Sequence, residues 1–187
     1  MSAQRDQHPG ESLTPVRMAT TDELHELSCH LQRSVRYHRA RERFFEGWSN
    51  LFSFASLLAG SSVVVALLTS APEWVALSAG SAVAAMQAIE QVFRLSVKAR
   101  DHAGLAGEFL SAERIVTLKG ELTESELRDL KAEVLSIEAR EPPVKRYLDL
   151  ICHNQVAKAI GSDDIEPLKF WQRWLAQYLN GDGALQG

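Results

Sequence analysis

The sequence predicts an all-α protein: a two-span transmembrane helical hairpin extended into a cytoplasmic helical stalk, with a small C-terminal helical cap. Three observations carry that prediction. From Gly47 to Pro72 the chain holds no charged residue, and after Glu73 a second uncharged run extends from Trp74 to Ile89. Arginines gather outside both runs, whereas the connection between them is Pro72-Glu73 and has no basic residue. Elsewhere the apolar residues recur at spacings of three and four, the helical period, and no segment alternates as a strand would.

Taken in order, residues 1–19 are polar, with Pro9, Gly10 and Pro15, and read as a disordered lead. Thr20 with Glu23 three residues on forms a capping box that opens a helix. Leu24, Leu27, Leu31, Val35 and His38 then make one stripe, and no Pro or Gly intervenes before Gly47. The helix is therefore expected to run straight into the first span as a rod of about 50 residues, roughly 75 Å long. That span, about 48–71, exceeds the roughly 20 residues a bilayer crossing needs, and its Ser and Thr hydroxyls can bond back to helix carbonyls. The second span, about 74–95, reaches the length only by placing Glu90 near one membrane face, where a carboxyl costs less than at the centre. Arg94, one turn on, is expected to pair with it.

The second helix is expected to continue outward, with His102, Leu105, Phe109, Ala112 and Val116 on one face until Gly120 stops it. Residues 20–119 thus form one long helical hairpin whose two rods pack as a coiled-coil-like stalk. Residues 120–180 form the cap. Thr123 and Glu126 are a second capping box, followed by the stripe Leu127, Leu130, Val134 and Ile137. Pro142-Pro143 break the chain, and Pro143 suits the first turn of a helix carrying Val144, Tyr147, Leu148, Ile151 and Val156 as far as Gly161. Asp164 and Pro167 open a last helix with Leu168, Trp171, Leu175 and Leu179 inward, and residues 181–187 are a flexible tail.

The flanks set the orientation. Arg33, Arg36, Arg39, Arg41 and Arg43 precede the first span, and Arg94, Lys98 and Arg100 follow the second. By the positive-inside bias both termini are cytoplasmic, and these residues face anionic lipid headgroups. Trp48 and Trp74 stand where each span enters, as interface anchors. The first run begins too late and runs too long for a signal peptide. A soluble helical protein is the rival fold, given 45% hydrophobic residues. It would need a shell of partner helices around both apolar ones, and the flanking segments are amphipathic instead.

Inside the spans Ala76, Gly80, Ala84 and Ala88 repeat strictly by four, with Ser56 and Gly60 as a matching groove on the first span. Small residues at that spacing let helices approach closely, so they predict helix packing and a homo-oligomer. In an assembly, Gln87 and Glu90 are the candidates to line an aqueous path. Tyr37, Phe44 and Phe45 among the arginines offer stacking for nucleic acid, but the positive-inside bias explains the arginines and the net charge of −4 argues against that partner. His25 and Cys29, or Cys152-His153, make no zinc spacing. The sequence also lacks a phosphate-cradling Gly-rich loop and a Gly-x-Ser-x-Gly turn. No catalytic, metal-binding or cofactor-binding residue is therefore expected, nor an enzyme. Cys29 and Cys152, both cytoplasmic, are expected as free thiols.

An Arg-rich helix with Tyr37-His38 and Arg41, a compact hairpin, and a following helix with His102-x-x-Leu105-x-x-x-Phe109 resemble the SLATT domain family, the SMODS- and SLOG-associating two-transmembrane effectors of bacterial conflict systems. The resemblance covers roughly residues 20–160 and rests on loose positions in a hairpin. It implies a multi-pass bacterial inner-membrane effector, oligomeric and pore-forming, that permeabilises the membrane in antiviral defence by abortive infection. It also implies a nucleotide-producing or nucleotide-sensing partner protein acting through the cytoplasmic helices. No attached sensor is expected in this sequence, so the resemblance does not name its trigger. The alternative is a membrane-anchored scaffold or regulatory subunit without a conducting path.

Overall fold

A computed structural model of the chain describes residues 17–69 and 71–179. They form six helices: α1 (Thr21–Leu68), α2 (Glu73–Phe93), α3 (Leu95–Lys119), α4 (Glu124–Glu138), α5 (Arg146–Ala159) and α6 (Phe170–Trp174). The fold is all-helical. An isolated bridge between Met18 and Thr123 is the one β feature among the described residues.

Helix α1 runs 48 residues without interruption. Both capping boxes form. Thr20 Oγ1 accepts from the Glu23 N–H while Glu23 accepts from the Thr20 N–H, and Thr123 and Glu126 repeat the arrangement at α4. Such a cap stabilises a helix start by about 1 kcal/mol. Glu126 also receives the Lys119 ammonium, which, with Thr123, holds its carboxyl down to about 2. Gly120 ends α3 at φ +68°, in the left-handed region that glycine enters without a Cβ penalty.

The N-terminal half of α1 and all of α3 run antiparallel as a stalk. His38 faces His102, and Phe45 faces Lys98 four residues nearer the α2 end. Leu27 and Leu31 of α1 and Leu105, Phe109 and Ala112 of α3 form a core that α4 closes with Leu127, Leu130, Val134 and Ile137. Helix α5 covers the other flank, setting Tyr147, Leu148 and Cys152 against Tyr37. The stripes read from the sequence are therefore the buried faces.

Four local expectations are overturned. Residues 17–19 are not part of a disordered lead: the Ala19 N–H donates to the Leu122 carbonyl at 2.8 Å and the Glu124 N–H to the Arg17 carbonyl at 2.9 Å, tying the segment to the α3–α4 loop. Residues 1–16 and 180–187 lie outside the described residues, so the tail and the rest of the lead do too. The second long helix is not continuous, because Arg94 takes φ 50°, ψ 48°, and divides α2 from α3. Pro143 does not open α5. Residues 141–145 form no helix, the Lys145 N–H donates to Tyr37 Oη at 2.8 Å, and the helix starts at Arg146 with Val144 exposed. The last helix shrinks to Phe170–Trp174. Asn154 grips Glu166 through both its backbone N–H and its carbonyl, residues 162–169 form no helix, and Ala176 is buried while Trp171 and Leu179 stay exposed.

Beyond the stalk, α2 returns along the C-terminal part of α1. Gln87 Nε2 donates to Ser56 Oγ and Ser49 Oγ to Glu90 Oε1, both at 3.3 Å, so the two helices are antiparallel. Val75, Ala79, Val83, Met86 and Glu90 form the half-buried seam of α2, and no residue of α2 is fully buried. Helix α1 is long and apolar enough to cross a membrane by length and composition, and only 11% of its apolar window is buried within the molecule. Helix α2 falls short of the same test, because Gln87, Glu90 and Gln91 dilute its apolar run.

Candidate functional site

Where the stalk approaches the α1–α2 pair, α1 and α3 bury a polar cluster. His38 and His102 bring their Nδ1 atoms to 2.8 Å, and His38 Nε2 lies 3.0 Å from Glu141 Oε1. Both imidazoles sit between aromatic rings, His38 stacked on Phe109 and His102 on Phe45. Two Nδ1 atoms at that distance share one proton, since each neutral imidazole has one donor and one acceptor nitrogen. A second proton would set N–H against N–H. Burial, then the nearby His38 and Arg41, hold the His102 imidazole down to about 4, so it stays neutral at physiological pH.

Arg41, one turn along α1 from Tyr37, is itself buried. Its guanidinium lies 4.5 Å from the Phe45 ring centre and donates to both the carbonyl and Oε1 of Gln177. No carboxylate lies within ion-pair reach of it among the described residues. Burial lowers its proton affinity, as expected of a cation taken from water without a counter-ion. Burial likewise raises the Tyr37 phenol. Beside Arg41 opens a cleft of about 850 Å³ between α1, α3 and the α4–α5 loop.

Tyr37, His38, Arg41, His102, Leu105 and Phe109 thus come together in one place, although 64 residues separate the two histidines. Periodicity puts His38, His102, Leu105 and Phe109 on inward faces but says nothing about mutual contact, and it left Tyr37 and Arg41 in the basic run expected at the membrane surface. Glu141, Lys145, Gln177, Glu108 and Arg140 complete the surroundings, and sequence reasoning passed over them. The Pro142-Pro143 pair was the one available signal, marking a stiff loop without showing where it lands. Arg140 and Glu108 close one wall of the cleft as a bidentate ion pair.

The other sequence candidates fall elsewhere. The face bearing Ala76, Gly80, Ala84 and Ala88 turns away from α1. Gly80, Ala84 and Ala88 are exposed, Ala76 is half-buried, and an open groove there is rimmed by Trp74 and Leu77. A Cβ added at Gly80 would meet nothing within 4 Å. Ser56 faces the α2 seam instead, buried against Gln87, while Gly60 is half-buried and a Cβ added there would meet nothing within 4 Å. Gln87 and Glu90 thus bond inside the α1–α2 pair. The expected Glu90–Arg94 ion pair does not form: the Arg94 N–H still donates to the Glu90 carbonyl at 2.8 Å, but the helix ends at Arg94 in a left-handed conformation and its side chain is exposed. Glu90 Oε1 accepts from the Ser96 N–H at 3.0 Å and caps α3, while its Oε2 is buried without a partner.

The basic residues divide as well. Arg33 pairs with Asp149 of α5 at 3.4 Å, Arg36 points a buried Nη1 into the fold, and Arg39 pairs with Glu42. Arg33 stands about 22 Å along α1 from Trp48 at 1.5 Å per residue, well below the apolar region. Arg43, Arg94, Lys98 and Arg100 are exposed, as are Trp48 and Trp74. Cys29 and Cys152 are free thiols. Cys152 is buried and its thiol is pushed up to about 12, which suppresses the reactive thiolate. No protein family, curated protein or solved structure matches this chain.

Proposed function

We propose that the protein is a bacterial inner-membrane effector that assembles through its two apolar helices and permeabilises the membrane when its cytoplasmic helices are engaged. The observation that carries this reading is apolar surface that nothing in the described chain covers. On α1, Leu51, Phe54, Leu57, Leu58, Val64, Val65, Leu67 and Leu68 are exposed, and on α2, Trp74, Leu77, Val92 and Phe93 are. Monomeric soluble proteins rarely leave contiguous apolar patches larger than a few hundred Å² uncovered. A bilayer covers such helices on every side. Both helices then span, Pro72-Glu73 lies outside, and the stalk and both termini are cytoplasmic. The outward small-residue ladder supplies the contact between hairpins, and the stalk carries any movement of α4 and α5 to the spans. The resemblance to the SLATT family supplies the setting, antiviral defence with a nucleotide-producing or nucleotide-sensing partner.

A membrane-anchored scaffold without a conducting path is the second reading. It is favoured by Gln87 and Glu90, whose hydrogen bonds to Ser56 and Ser49 are made within one chain. Two measurements test these readings. Carbonate washing should leave the protein in the membrane fraction, and release into the supernatant would end both membrane readings. Induced expression, with any genomic partner supplied, should depolarise cells, and Gly80→Leu or Ala84→Leu should abolish that toxicity while the protein stays in the membrane. Membrane retention without depolarisation under any partner selects the scaffold.

A further inference from the structure

We infer that the cleft beside Arg41 is a binding site for an organic phosphate, its anionic group held by Arg41, Lys98 and Arg100 and its body lying against Phe45, Leu105 and Pro142. A volume of about 850 Å³ suits a small molecule. The charge on its walls is unbalanced. Of the acidic side chains lining it, Glu108 is neutralised by Arg140, while Glu141 is hydrogen-bonded to the neutral His38 and keeps its charge. Asp101 and Glu141 thus stand against the cations Arg41, Lys98 and Arg100, which still outnumber them and none of which has a carboxylate within ion-pair reach among the described residues.

Arg41 is the decisive group. A guanidinium buried to 8% exposure with carbonyl and amide oxygens but no counter-charge is costly to keep, and an anion in the cleft would supply that charge. Lys98 reaches over the same Phe45 ring from α3. The floor is open for a reason of its own. Gly104, in the interior of α3, lines the cleft, and a Cβ built on it meets nothing within 4 Å. Glycine there weakens the helix by about 1 kcal/mol relative to alanine, and no packing neighbour requires it. What its missing side chain leaves is room.

Phosphate of this kind can come from a soluble metabolite or from a phospholipid headgroup, since the cleft lies only a turn or two from the apolar helices. Binding is measured without reference to conductance, so its outcome is separate from that of the effector reading. Full-length protein in maltoside micelles, at low salt, is titrated calorimetrically with inorganic pyrophosphate and, separately, with dihexanoylphosphatidylglycerol, using dihexanoylphosphatidylcholine as the zwitterionic control. Saturable binding is expected, weakened roughly ten-fold or more by Arg100→Ala and by the cleft-filling Gly104→Leu. Both sites are exposed, so neither variant should unfold the chain, and a thermal melt verifies this. Binding of pyrophosphate assigns a soluble source, and binding of the glycerol lipid alone assigns the headgroup. Failure of both probes to bind, or binding that survives both substitutions, overturns the site.

Discussion

At the scale of single residues, the His38–His102 contact makes the sharpest demand on solution conditions. The His102 imidazole titrates near 4 in the folded chain against an ordinary value of 6.5, so the unfolded chain takes up the proton first. Stability is therefore full above about pH 6.5 and drains as pH falls toward 4, by an amount on the order of 3 kcal/mol if the whole shift is realised. Unfolding of the wild type should weaken over that window, and His102→Gln, which keeps a hydrogen-bonding group but cannot titrate, should flatten the dependence. An unchanged pH profile in the variant would show that the proton is taken up elsewhere. The histidines were visible in the sequence as members of two stripes. Their pairing was not, because stripes on separate helices acquire a common register only when the helices pack.

Among the elements, two helix boundaries make opposite predictions. The α4 capping box satisfies backbone donors that would otherwise be left at the helix start, so Thr123→Ala should cost about 1 kcal/mol in thermal unfolding. Arg94 is the converse case, a non-glycine residue at φ 50°. A left-handed conformation costs an L-residue roughly 1–2 kcal/mol, so Arg94→Gly should stabilise the α2–α3 junction by about that much. A lower melting temperature for Arg94→Gly would mean that the Arg94 side chain itself holds the junction. The Thr-x-x-Glu signals and Gly120 were legible because caps are local chemistry, settled within four residues. The break at Arg94 was not, since neither glycine nor proline marks it and its support comes from Glu90 reaching across to the Ser96 N–H.

Over the whole molecule, the unequal exposure of the two ends is what matters. The stalk, α4 and α5 bury their apolar faces against one another, while the α1–α2 pair leaves its outer surface bare, with Leu68 at 81% and Val92 at 75% exposure. On the proposed topology a thiol placed in the connecting turn, Glu73→Cys in a chain whose Cys29 and Cys152 are replaced by serine, should react with an impermeant maleimide added to intact cells stripped of their outer membrane. A thiol placed at Arg100 should react only after lysis. Labelling of Arg100→Cys in sealed cells would reverse the topology.

What the sequence determined by itself is whatever depends on composition and period. An all-helical chain, the inward stripes, both capping boxes and the apolar length of α1 follow from local propensity and from hydrophobic periodicity. The tertiary structure alone decided which polar residues meet. It turned the Ala76–Ala88 ladder outward, engaged Gln87 and Glu90 with α1, withdrew Arg33, Arg36 and Arg41 from the basic run into the fold, and gathered Arg41, Lys98 and Arg100 at one cleft. The physical reason is that a helix fixes the angular position of its own side chains, whereas contacts between helices depend on their relative rotation and axial offset. Those are set by the sum of many buried contacts, and no single stretch of sequence contains that sum.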